Sequence, residues 1–144
     1  MLDITNVNHV GIRISDKKRS TDFYSLLGFD LVGDAGFEGG HPIIMKHPSG
    51  VVINLLGPAD ASAGVNILMD VDEKHTGITH VALTVSSLSQ AREFVTANDI
   101  KITGSFSFGE MSAIFIRDPD RNVIELDAYG AAVTGENSGY PDHP

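Results

Sequence analysis

The chain has no cysteine, so disulfides, thiolate nucleophiles and cysteine-bound zinc are excluded, in keeping with a reducing compartment. Positive charge is scarce as well: ten Lys and Arg stand against nineteen Asp and Glu, a formal net charge of −9. A nucleic-acid backbone needs a basic stripe, and this balance argues against one. Anionic membrane surfaces are disfavoured on the same ground. No apolar run nears the ~18 residues of a membrane span, and the opening Met-Leu-Asp-Ile-Thr lacks the basic and apolar regions of a secretory signal. No nucleic-acid or membrane partner is therefore expected, and the expected location is cytoplasmic. The serines lie in no nucleophile-elbow context, and Gly33 to Gly40 has neither P-loop nor dinucleotide spacing. Chemistry of those kinds finds little support.

What the chain does have is a repeat. Displaced by 71 positions, His9-Val10 falls on His80-Val81, Asp22-Phe23 on Glu93-Phe94, Pro48 on Pro119 and Asn54 on Glu125. Two copies of one unit, each giving polar residues at equivalent places, would set four side chains around a shared centre under a two-fold arrangement. A length of 144 residues with 42% hydrophobic content fits a single soluble domain over 1–144. Within it the spacing gives a first module at 7–57, a linker at 58–77, a second module at 78–130 and a mobile tail at 131–144. A period near 70, present only twice, is too long for a solenoid.

Alternating, branched residues predict strands over 7–15, 29–32, 42–46 and 51–56, and again over 79–85, 100–103, 112–117 and 122–128. Asp16 is the expected N-cap of a first helix, with Phe23, Tyr24, Leu26 and Leu27 on one face and Gly28 as the stop. Ser86 or Ser87 caps a second helix that turns Leu88, Ala91, Phe94 and Val95 inward and ends at Asn98-Asp99. A short strand is expected at 65–69. Eight main strands and two covering helices make an α+β architecture.

His9 and His80 stand out because the repeat equates them, and imidazole is the commonest metal ligand. Glu125 lies within Val-Ile-Glu-Leu, where a carboxylate is costly unless paired or bound to a cation. Two imidazoles and a carboxylate suit one divalent metal ion: Fe, Mn, Ni, Co or Zn. Asn54 is a weak fourth ligand, a substrate contact, or an amide that only satisfies neighbouring backbone. Arg13 follows His9 by four residues and so shares its strand face, where it meets an anionic substrate group or forms an ion pair at the rim. Met111 and Phe115 read as pocket lining or core.

These residues resemble the vicinal oxygen chelate superfamily of glyoxalase I, extradiol dioxygenases and bleomycin-resistance proteins. The resemblance is carried by Asn-His-Val-Gly-Ile-Arg-Ile-Ser-Asp at 8–16, Phe23-Tyr24, Leu27-Gly28-Phe29, Thr-His-Val-Ala-Leu-Thr-Val at 79–85 and Asp-Pro-Asp-Arg-Asn-Val-Ile-Glu-Leu at 118–126. It implies paired βαβββ modules forming a curled sheet around a metal cleft, with His9, His80 and Glu125 as ligands, and a homodimer. The activity it implies is a glyoxalase I-like isomerase or lyase. The small-molecule substrate would carry two neighbouring oxygens and react through an enediolate-like intermediate. Glu125 would then shuttle the proton, Arg13 hold a remote anionic group and Asn54 orient substrate. Two departures stand out: Asn54 replaces the family's fourth Glu or Gln ligand, and Pro58 replaces an Asn of glyoxalase I. The alternatives are a ring-cleaving dioxygenase using ferrous iron, against which Phe115 stands where a Tyr is expected, and a metal-free protein that sequesters a small ligand.

Overall fold

The 71-residue repeat is written into the backbone. The computed structural model describes residues 1–60 and 64–133, and the chain divides into two units, Met1–Val65 and Asn66–Pro144. The first unit runs β1 (Val10–Arg13), α1 (Lys17–Leu26), β2 (Asp30–Asp34), a 3-10 turn at Phe37–Gly39, β3 (Ile43–Lys46) and β4 (Val52–Leu56). The second runs β5 (His80–Thr84), α2 (Leu88–Ala97), β6 (Gly104–Phe108), β7 (Met111–Arg117) and β8 (Val123–Tyr129), then a 3-10 turn at Gly130–Val133. Each unit has its own four-stranded sheet, ordered β1-β4-β3-β2 and β5-β8-β7-β6. In both, the first strand pairs parallel with the last and the other pairs are antiparallel. The expected paired modules are thus present, as two separate sheets rather than one curled sheet.

The same local chemistry builds both units. Asp16 caps α1 by accepting from the Arg19 amide at 2.7 Å, and Ser87, 71 residues on, caps α2 by accepting from the Gln90 amide at 3.3 Å. Both helices end in a left-handed residue, Gly28 at φ +100° and Asp99 at φ +56°. The next amide then reaches back into the helix, Phe29 N to Tyr24 O at 3.0 Å and Ile100 N to Val95 O at 2.8 Å. That closure satisfies carbonyls the helix would otherwise orphan. The hairpin turns before β4 and β8 also match, with Gly50 donating to His47 O and Arg121 to Asp118 O, both at 2.9 Å.

One face of each sheet is core. In the first unit Ile43, Met45, Ile53 and Leu55 are fully buried, as is Tyr24 of α1. In the second, Ile114, Ile116, Ile124 and Ala128 are fully buried together with Leu88 and Val95 of α2. Each large side chain so buried contributes about 1.5–3 kcal/mol. The opposite face of each sheet is free to carry polar residues.

Four expectations need correction. The strand expected at 100–103 lies at Gly104–Phe108, because Gly109 at φ +59° opens a two-residue turn that pairs Phe108 with Met111. No strand forms at 65–69; Asn66 instead folds a turn, accepting the Leu68 amide on its side chain at 2.9 Å and the Asp70 amide on its carbonyl at 2.7 Å. Leu26, expected on the apolar face of the first helix, and Phe94, expected inward, are exposed. Of the expected tail at 131–144, residues 131–133 complete the 3-10 turn Gly130–Val133, whose Val133 is buried, while 134–144 lies outside the described residues. Among the described residues no helix is long and apolar enough to cross a membrane.

Candidate functional site

Strand register fixes which side chains share the polar face of the second unit. Glu125 of β8 lies opposite Ala82 of β5 and Phe115 of β7; one row along, Val123 lies opposite His80 and Arg117. Residues two apart on a strand point the same way, so His80, Glu125 and Phe115 look out from one face, and Met111 stands further along it. His80 Nε2 lies 3.0 Å from Glu125 Oε2. The other ring nitrogen, Nδ1, is 2.8 Å from Thr79 Oγ1, which holds the ring while Nε2 faces the acid. Phe115 meets the His80 ring edge-on, with centroids 5.8 Å apart. Glu125 is only 9% exposed, whereas the His80 side chain keeps 36% of its surface. The pair is sheltered on one side and reachable on the other.

The first unit has the equivalent face. Asn54 of β4 lies between Gly11 of β1 and Ile44 of β3, and Arg13 lies opposite Leu56, so Arg13 and Asn54 share it. The Asn54 amide oxygen is buried without a hydrogen-bond partner among the described residues. Orphaned acceptors of this kind cost roughly 1–3 kcal/mol unless a ligand, ion or water supplies a donor. His9 sits one residue before β1, exposed, with Nδ1 2.7 Å from Asn8 Oδ1.

Among the described residues no group of three or more His, Asp or Glu side chains is gathered as a metal cluster; what the second unit brings together by itself is the pair His80 and Glu125. Its 3.0 Å separation is that of an ion pair, and two donors to one metal ion would stand at a similar distance. Two donors about 2.0–2.2 Å from one ion, at right angles about it, stand roughly 3 Å apart. One imidazole nitrogen and one carboxylate oxygen also suit any of the five metals expected from the sequence. Asp127, two residues beyond Glu125, shares the face but was not singled out from the sequence. The signal was there in Glu-Leu-Asp, a second acid at strand spacing.

Comparison with known proteins places this architecture. The profile of the Glyoxalase/Bleomycin resistance protein/Dioxygenase superfamily matches residues 6–126. The chain is 25% identical over 132 residues to "Glyoxalase domain-containing protein RDO1" of Mycosarcoma maydis, covering 89% of this chain and 70% of that protein. Among solved structures it resembles SMU.1112c, at TM-score 0.70 and 20% identity over 87% of this chain and 99% of that one. It also resembles a lactoylglutathione lyase from Agrobacterium tumefaciens, at TM-score 0.64 and 15% identity over 87% and 94%. At such identities the structures speak for the fold alone, but the profile match spans most of the sequence. The chain belongs to the Glyoxalase/Bleomycin resistance protein/Dioxygenase superfamily.

Proposed function

We propose that this protein is a metal-dependent enzyme of the glyoxalase I-like isomerase or lyase kind, acting on a small molecule with two neighbouring oxygens. The observation that carries this reading is the His80–Glu125 pair, 3.0 Å apart, with the acid nearly buried on a polar sheet face. His80 and Glu125, both in the second unit, are the proposed ligands. Held there, one divalent ion (Fe, Mn, Ni, Co or Zn) would act as a Lewis acid toward two adjacent substrate oxygens.

The remaining work falls to the chain. Glu125 takes a proton from the carbon beside the substrate carbonyl and returns it to the neighbouring carbon, a general acid–base role. Phe115, packed beside the pair, keeps water from that proton. Met111 lines the apolar part of the face.

The test is deuterium exchange. Protein reconstituted separately with each of the five metals is incubated in D2O with α-hydroxyketones and with thiol adducts of 2-oxoaldehydes, and proton NMR follows the carbon-bound hydrogen. Exchange or isomerisation that needs metal and drops at least ~100-fold in Glu125→Gln supports the reading. Ring cleavage of a catechol in air with ferrous iron alone would replace it with the dioxygenase reading. A protein that takes up no metal and still binds aromatic ligands tightly would replace it with a binding protein.

A further inference from the structure

Asp127 is a nearly buried acid that the proposed chemistry does not use. It is 7% exposed, and its carboxylate accepts one hydrogen bond, from Thr84 Oγ1 at 2.6 Å. Among the described residues no Lys, Arg or His pairs with it. A sheltered carboxylate served by one hydroxyl is under-satisfied, since it offers about four acceptor positions and such burial is costly without a cation or several donors. Its place on the face is informative. Asp127 lies opposite Thr84 on one side and Ala113 on the other, and Ala113 in turn lies opposite Phe106. Ala113 is small and itself only 1% exposed, and the row ends in the exposed ring of Phe106. Glu125 and Asp127 are one two-residue strand step apart, about 6–7 Å. At the equivalent position of the first unit stands Leu56, opposite Arg13, so the acid belongs to the second unit's face alone.

We propose that Asp127 is a specificity-determining residue: it accepts a hydrogen bond from an ammonium or other strong donor carried by the substrate about 6–7 Å from its two neighbouring oxygens. The inference rests on the metal reading above, in which those oxygens meet His80 and Glu125. Thr84 holds the carboxylate in place through Oδ1, leaving its remaining acceptor positions to the ligand. The exposed ring of Phe106 provides an apolar wall for the linking carbons. A carboxylate in this row rejects an anionic group at the same distance by like-charge repulsion.

Hydroxamates, which present two adjacent oxygens, separate this inference from the reading beneath it. Binding to nickel-loaded protein is measured by calorimetry for butyrohydroxamate, for its 4-ammonium analogue and for the succinate-derived carboxylate analogue. Asp127→Asn, which keeps an oxygen for Thr84, is measured alongside, with its thermal midpoint as a check on folding. The expected result is an ammonium analogue bound roughly ten-fold or more tightly than butyrohydroxamate, as a charge-assisted bond allows, and a carboxylate analogue bound more weakly than either. In Asp127→Asn the ammonium preference should vanish while butyrohydroxamate affinity stays unchanged. Equal binding of all three ligands, or a preference that survives in Asp127→Asn, overturns the proposal. Failure of butyrohydroxamate to bind metal-loaded protein at all overturns the metal reading itself, and this inference with it.

Discussion

Among single residues, the clearest contrast is between Gly28 and Asp99. The two occupy equivalent places after α1 and α2, both left-handed, yet only one is a glycine. A Cβ at Gly28 would stand 3.0 Å from His47 Nε2 and 3.2 Å from Cδ2, on a backbone at φ +100°. Gly28→Ala is therefore expected to cost about 1–2 kcal/mol, read as a lower urea midpoint. Asp99→Gly, relieving the same backbone, should raise the midpoint by up to about 1 kcal/mol. At this scale the sequence points to two residues of the candidate site. His80 and Glu125 were legible because the repeat singles out one and apolar neighbours make the other conspicuous. Asp127 was missed because a strand acid near a sheet end reads as solvent-facing until register shows which face it takes. Periodicity cannot settle whether an amide such as Asn54 Oδ1 finds a partner, since that depends on the neighbours of Gly11 and Ile44 rather than on its own strand.

Among elements, the segment at 66–70 shows how a stretch read as linker becomes part of a unit. Asp70 accepts a two-pronged bond from Arg117, at 3.0 and 2.9 Å, and a third contact from Arg121 Nε at 3.2 Å. Asn66 adds its backbone amide to Asp70 and its side chain to the Arg121 carbonyl. The Arg117 guanidinium first, then the Asn66 amide and Arg121, hold the Asp70 carboxyl well below the usual carboxylate range, at about 2. The Asp70 side chain is 21% exposed, so solvent screens part of this, and Asp70→Asn is expected to cost about 1–2 kcal/mol at pH 7. The sign follows from the depressed value: the stabilisation is fully present above about pH 4 and fades as pH falls through about 2. Urea midpoints of wild type and Asp70→Asn should therefore differ by a constant amount from pH 7 to about 4.5 and converge toward pH 2. Hydrophobic patterning could not find this clamp, because its ends are separated by 47 and 51 residues. The misplaced β6 has a similar cause. Gly104-Ser-Phe-Ser-Phe alternates weakly, and its position is set by the turn at Gly109-Glu110 rather than by its own residues.

For the whole molecule, the repeat carried the fold. α1 and α2 span residues 17–26 and 88–97, the same ten positions at the 71-residue offset, and their caps, closures and hairpin turns coincide bond by bond. That is why architecture was readable from spacing while chemistry was only bounded by it. The superfamily joins lyases, dioxygenases and binding proteins on one scaffold, so function must be argued from the site. A net charge of −9 disfavours anionic macromolecules as partners. The central claim is that His80 and Glu125 hold a metal. Its most direct test is metal content by mass spectrometry after incubation with each of the five ions and removal of the excess. The account predicts one ion per chain in wild type, and marked loss of it in His80→Ala/Glu125→Ala protein whose circular dichroism is unchanged. Undiminished metal in that double variant, or none in wild type with any of the ions, would contradict it.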